Sequence, residues 1–171
     1  WQERFDVIEW VKLIISWDSN AQIILHGVSM GAATVLMASG EELPENVKAI
    51  IADCGYTSEW DEFKCEANAL HIPWFPVLNA ASVMSRLRDG YDFKQASALE
   101  QVKQSRIPTL FIHGSDDELV PYSMLDKLYS AAVCKKECLT VNGAGHALSS
   151  SVEPELYWNT VESFIDKYLE K

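Results

Sequence analysis

The chain is short of the features that usually announce a partner. No apolar run approaches the roughly 18 residues a membrane span needs; the longest are strand-like pieces such as Ile107–Ile112. There is no basic cluster. The 14 Lys and Arg are scattered among 25 Asp and Glu, for a net charge of −11 and a pI near 4.7. Nucleic-acid phosphates are held by clustered cations, so nucleic acid is excluded as a partner and an anionic membrane surface is a poor one. There is no CxxC pair. Cys54, Cys65, Cys134 and Cys138 offer only one close pair, with no second pair to complete a zinc site. Four reduced thiols and a cytoplasmic setting are expected. The opening "WQERFDVIEW" lacks the basic-then-apolar order of a signal peptide. Internal repeats and low-complexity tracts are also missing.

What is present suits one globular domain over residues 1–171: 48% hydrophobic and 23% charged residues support a real core. Helical spacing over residues 3–17 places Phe5, Ile8, Val11, Lys12 and Ile15 on one stripe, with Val7, Trp10 and Ile14 beside it. Short buried strands are predicted at Gln22–His26, Val47–Cys54, Thr109–Gly114 and Glu137–Gly143. Helices are predicted at Gly31–Ser39, over 123–132, and from Pro154 to the end. Apolar rather than alternating strands, separated by helices, mean an α/β fold. Its parallel sheet of about four strands is covered on both faces. Residues 58–97 break the rhythm. They are rich in aromatics, interrupted by Pro73 and Pro76, and read as two or three short helices inserted as a cap.

The sharpest signal is "AQIILHGVSMGAATVLMASG", where Ser29 stands between Gly27 and Gly31 at a strand-to-helix joint. A serine hydroxyl is a weak nucleophile and needs a base, an orienting acid and oxyanion donors. A G-x-S-x-G turn projects the serine from the top of a sheet, and the following helix aims its first amides at the developing charge. The amide of Met30 is one such donor. A base and an acid should follow on later strands. Of the four histidines, His26 precedes Ser29, His71 lies in the insertion and His113 ends the third strand. Only His146, in "NGAGHALSS", lies beyond the fourth. His26 and His113 are expected to hold loops by hydrogen bonds. For the acid, "IHGSDDELVP" offers Asp116, Asp117 and Glu118, with Asp53 at the end of the second strand as an outlier.

These pieces, in order, resemble the C-terminal part of an α/β-hydrolase-fold serine hydrolase. The likeness is greatest to the bacterial esterase- and peptidase-like branch related to prolyl oligopeptidase. The matching text is Gly27–Gly31, "ADCGYTS", "PTLFIHGSDDELVP" and "GAGHA". The family pattern H-G-x-x-D-x-x-V-P, fitted from His113 to Pro121, puts the acid at Asp117, and the last piece puts the base at His146. The resemblance implies acyl transfer on Ser29 with no metal and no organic cofactor. The implied substrate is a small ester or short peptide. Peptidase, thioesterase and non-catalytic binding roles are the alternatives. The aromatic insertion would wall an apolar pocket over Ser29. The resemblance also implies several strands before the elbow, where this chain has one helix. The chain is therefore expected to be the C-terminal portion of a longer enzyme that lacks its second oxyanion loop. Its first strand would have an open edge, inviting a homodimer.

Overall fold

A computed structural model describes residues 1–169. Helix α1 (Glu3–Trp17) leads to strand β1 (Ile23–Val28), helix α2 (Met30–Ala38) and strand β2 (Val47–Asp53). Helices α3 (Glu59–Ala69), α4 (Trp74–Asp89) and α5 (Ala98–Val102) precede strand β3 (Thr109–Gly114). Helix α6 (Ser123–Ala131), strand β4 (Lys136–Val141), and helices α7 (Ser149–Val152) and α8 (Pro154–Ile165) complete the order. The four strands form one parallel sheet in the order β1-β2-β3-β4.

Successive side chains of a strand point to opposite faces, and this splits the core in two. Ile50, Ala52 and Phe111 meet α2, α5 and α6 through Ala32, Leu36, Val102 and Leu128. Ala49, Ile51, Leu110 and Ile112 meet α8 through Tyr157, Val161 and Phe164. The middles of both central strands, Ala49–Ala52 and Leu110–Ile112, are therefore apolar on both faces, which is why the sequence shows runs there rather than alternation. The small residues of α2 let it lie close on the sheet: Ala32 and Ala33 are fully buried. β1 is an edge strand, and its outer edge has no partner strand among the described residues.

Three expectations shift. The first strand runs on to Val28, so it delivers Ser29 directly. On α1 the buried face is Arg4, Ile8 and Val11, while Phe5, Trp10 and Lys12 are exposed. Arg4 is buried because its guanidinium lies 3.4 Å over the Trp1 ring and its Nε donates to Glu41 Oε1 at 2.8 Å. The last helix ends at Ile165, and the part of its predicted span at 170–171 lies outside the described residues.

Residues 58–97 hold two helices, α3 and α4. Pro73 and Pro76 sit at the start of α4, where a missing N–H costs little; its backbone is non-helical at Phe75 and regular beyond. Where this segment leaves and rejoins the core, the two chain ends are stitched together. Glu59 N–H donates to Ala96 O (3.0 Å), Trp60 N–H to Phe93 O (3.1 Å) and Leu99 N–H to Thr57 O (3.0 Å).

Candidate active site

The site is assembled from the C-terminal ends of β1, β2, β3 and β4. At the end of β1, Ser29 has φ 55° and ψ −119°, a strained conformation for a residue with a side chain. Its amide is tied to Asp53 O at 2.8 Å. Gly27 makes the turn possible, since a Cβ there would collide with Gly31 O. Gly31 has open space where its own Cβ would be, so sterics do not demand glycine at that position.

Ser29, His146 and Asp117 come together as one hydrogen-bonded line. Ser29 Oγ lies 2.7 Å from His146 Nε2, and His146 Nδ1 lies 2.8 Å from Asp117 Oδ2. The Asp117 side chain is fully buried, and Oδ1 accepts N–H groups from Leu119 (3.0 Å) and Val120 (2.9 Å). Burial pulls the Asp117 carboxyl upward, but hydrogen bonds from His113, His146 and Val120 outweigh it and hold the group below its usual range. Such a line can draw a proton from the serine and pass it onward.

The other candidates do different work. Asp116 is exposed; its Oδ1 accepts the Ser115 hydroxyl at 2.6 Å, and its amide donates to Ala144 O at 3.0 Å. Glu118 is exposed. Asp53 is buried and accepts from Ser149 Oγ at 3.2 Å; burial raises its pKa against bonds from Ser149 and Tyr157. His26 Nε2 lies 3.0 Å from Tyr157 Oη and ties β1 to α8, while His71 lies between α3 and α4. His113 is buried with Nε2 at 2.9 Å from Val120 O and 3.3 Å from Asp117 Oδ2. Both neighbours of that nitrogen are acceptors, so it carries a proton and donates. The Met30 amide opens α2 and has no acceptor among the described residues, which leaves it free for an oxyanion. The helix dipole favours negative charge at that end. Gly114 lets the His146 loop approach β3, since a Cβ there would collide with Ala144 O.

Sequence reasoning passed over Cys54. It follows β2 directly, with φ 47° and no solvent exposure. Its thiol, the Asp117 carboxylate and a His146 ring nitrogen lie within 4.8 Å of one another. Burial and then the Asp53 charge push that thiol up to about 12. The trio suits a metal poorly: the thiol keeps its proton, and Nδ1 and Oδ2 already bond each other. Ala147, beside His146, also has a positive φ of 57°. Three non-glycine residues in this region thus meet at the site, and no residue type announced two of them. Glu62, in the first turn of α3, was also passed over. It is buried with Oε2 unpartnered, and burial, Glu66 and Asp117 push it up to about 7. An apolar cavity of about 320 Å³ lies between α3 and α4, lined by residues such as Phe63, Leu70, Trp74 and Val77. Ser29 is not among its lining residues, so this cavity does not sit directly over the serine as expected.

A parallel sheet, a serine on a strained turn after β1, and an acid and a histidine after β3 and β4 are the arrangement of the α/β-hydrolase fold. The chain belongs to the prolyl oligopeptidase family, which it matches over residues 2–171. It is 30% identical over 166 residues to the uncharacterized protein YqkD of Bacillus subtilis, covering 96% of this chain and 54% of YqkD. The chain spans about half the length of the curated relatives it matches. Its fold is similar to the esterase domain of a Rhodothermus marinus protein. There the TM-score is 0.68 at 21% identity, over 95% of this chain and 67% of the other. It is also similar to Pyrococcus horikoshii acylaminoacyl peptidase, with a TM-score of 0.68 at 15% identity, over 99% of this chain and 28% of the other. Among the described residues no helix is long and apolar enough to cross a membrane.

Proposed function

We propose that this chain carries the acyl-transfer centre of a serine hydrolase acting on carboxylic esters. The observation that carries this reading is the continuous line from Ser29 Oγ through His146 to the buried Asp117 (2.7 and 2.8 Å). His146 takes the Ser29 proton as Oγ bonds to the acyl carbon, then delivers it to the leaving oxygen. Asp117 fixes the tautomer that keeps Nε2 free to accept. The Met30 amide stabilises the oxyanion, as single donors of this kind are worth about 10²–10³ in rate. Water then attacks the acyl-enzyme along the same path. Four free cysteines go with a cytoplasmic setting. An amide or short peptide is the second reading, supported by the likeness to acylaminoacyl peptidase.

A fluorophosphonate probe and p-nitrophenyl acetate and butyrate test the proposal. Labelling and turnover that vanish in Ser29→Ala are expected. Labelling without ester turnover moves the reading to amides or thioesters. No Ser29-dependent labelling, either in this chain or in a version extended at its N-terminus, replaces the enzyme with a binding module.

A further inference from the structure

Helix α4 is built inside out. Its buried positions are Leu78, Ser82 and Ser85, and the two serines fasten the returning chain: Ser82 Oγ accepts Phe93 N–H at 3.1 Å and Ser85 Oγ donates to Tyr91 O at 2.9 Å. Its solvent face carries Val77, Ala80, Met84 and Leu87 at three- and four-residue steps, with Val83 beside them. Leu87 is 79% exposed and Met84 63%. Just upstream, Leu70, Ile72 and Phe75 are exposed too. Single surface apolar residues are ordinary, but a contiguous set on one face marks an interaction surface.

The charge around this face departs from that of the molecule. The chain has 25 acidic residues, yet none lies between Glu66 and Asp89. Arg86 and Arg88 flank the apolar stripe on its two sides, both exposed, and Arg88 pairs with Asp89 at 3.9 Å. An apolar helix face bordered by arginines suits the boundary between lipid headgroups and acyl chains. There the apolar side chains insert and the guanidinium groups reach phosphates. A second copy of this chain fits poorly, because a two-fold contact would bring the arginines of both copies together. The cavity between α3 and α4 shares Leu70, Ile72 and Val77 with the exposed set, so an alkyl-lined recess adjoins the same face.

We infer that the α4 face docks on a phospholipid surface, with Val77, Val83, Met84 and Leu87 inserted and Arg86 and Arg88 at the headgroups. The net charge of −11 does not prevent this, since charges more than about 8 Å from the patch are screened at physiological salt. As a way of taking acyl esters from lipid, docking rests on the acyl-transfer reading; as a binding event it does not.

Flotation of the full chain with vesicles of phosphatidylcholine alone, or mixed with phosphatidylglycerol, tests the inference. The wild type is expected to float with both. Met84→Asp with Leu87→Asp should lower the bound fraction at least about tenfold on both. Arg86→Glu with Arg88→Glu should weaken binding several-fold, mainly on the phosphatidylglycerol vesicles. Ser29→Ala should float like the wild type, which separates docking from catalysis. A fluorophore on Met84→Cys, in a protein whose Cys65, Cys134 and Cys138 are replaced by Ser, should shift to the blue with lipid, giving a readout that needs no destabilising charge. A wild type that stays unbound with both vesicles overturns the inference. So does equal flotation of the Met84→Asp, Leu87→Asp protein. A dimer broken by those two substitutions, without vesicle binding, assigns the face to a second copy instead.

Discussion

Asp117 accepts three N–H hydrogen bonds and has His113 Nε2 3.3 Å away, and the division of these groups between its two oxygens is informative. Leu119 and Val120 hold Oδ1, whereas Oδ2 is shared by His146 and His113. His113 therefore acts as a positioning residue: it keeps the carboxylate ionised and aimed at His146 without meeting a substrate. Replacing His113 by Leu removes one of the bonds that lower the Asp117 pKa, so that pKa should rise. Loss of reactivity on acidification should then begin at higher pH. The rate of fluorophosphonate labelling should fall about tenfold at neutral pH, and His113→Gln, which keeps a donor, should recover most of it. Unchanged pH profiles in both variants would leave His113 a packing residue only.

At the scale of elements, the elbow separates two glycines that look equivalent in sequence. Gly27→Ala must push its new methyl into Gly31 O, and should destabilise the protein by about 3 kcal/mol or more while displacing Ser29. Gly31→Ala meets nothing and should be neutral or stabilising by about 0.5–1 kcal/mol, because alanine favours helix. Denaturant melts of the two variants decide it; equal losses would mean that Gly31 is also sterically required. The four strands and an insertion of two or three helices were legible in the sequence, and Ser29 and His146 stood out by position, whereas the choice of Asp117 over Asp116 and Glu118 came from the family resemblance. Apolar runs and glycine-flanked turns report burial and backbone geometry directly. The face of α4 was not legible, since counting aromatics in residues 58–97 says that helices form but not which side they bury. Cys54 and Ala147 were equally silent, because their positive φ values are imposed by tertiary contacts.

For the whole molecule, the exposed edge of β1 and the exposed face of α4 are separate surfaces with different expected occupants. Unpaired strand edges template pairing with another chain. Sedimentation velocity should therefore show a concentration-dependent dimer that Met84→Asp and Leu87→Asp leave intact, and a monomer at every concentration would discard edge pairing. The stitched junction at Thr57–Trp60 and Phe93–Leu99 has a broader implication. Ser29, Asp117 and His146 are carried by β1, β3 and β4, while residues 60–93 depart and return through a closed neck beside β2. Ends already held together make a loop cheap to lengthen, shorten or exchange. The protein is thus partitioned like an engine with an interchangeable tool head. The Ser29–His146–Asp117 line can stay fixed while residues 60–93 change in length or shape beyond the neck.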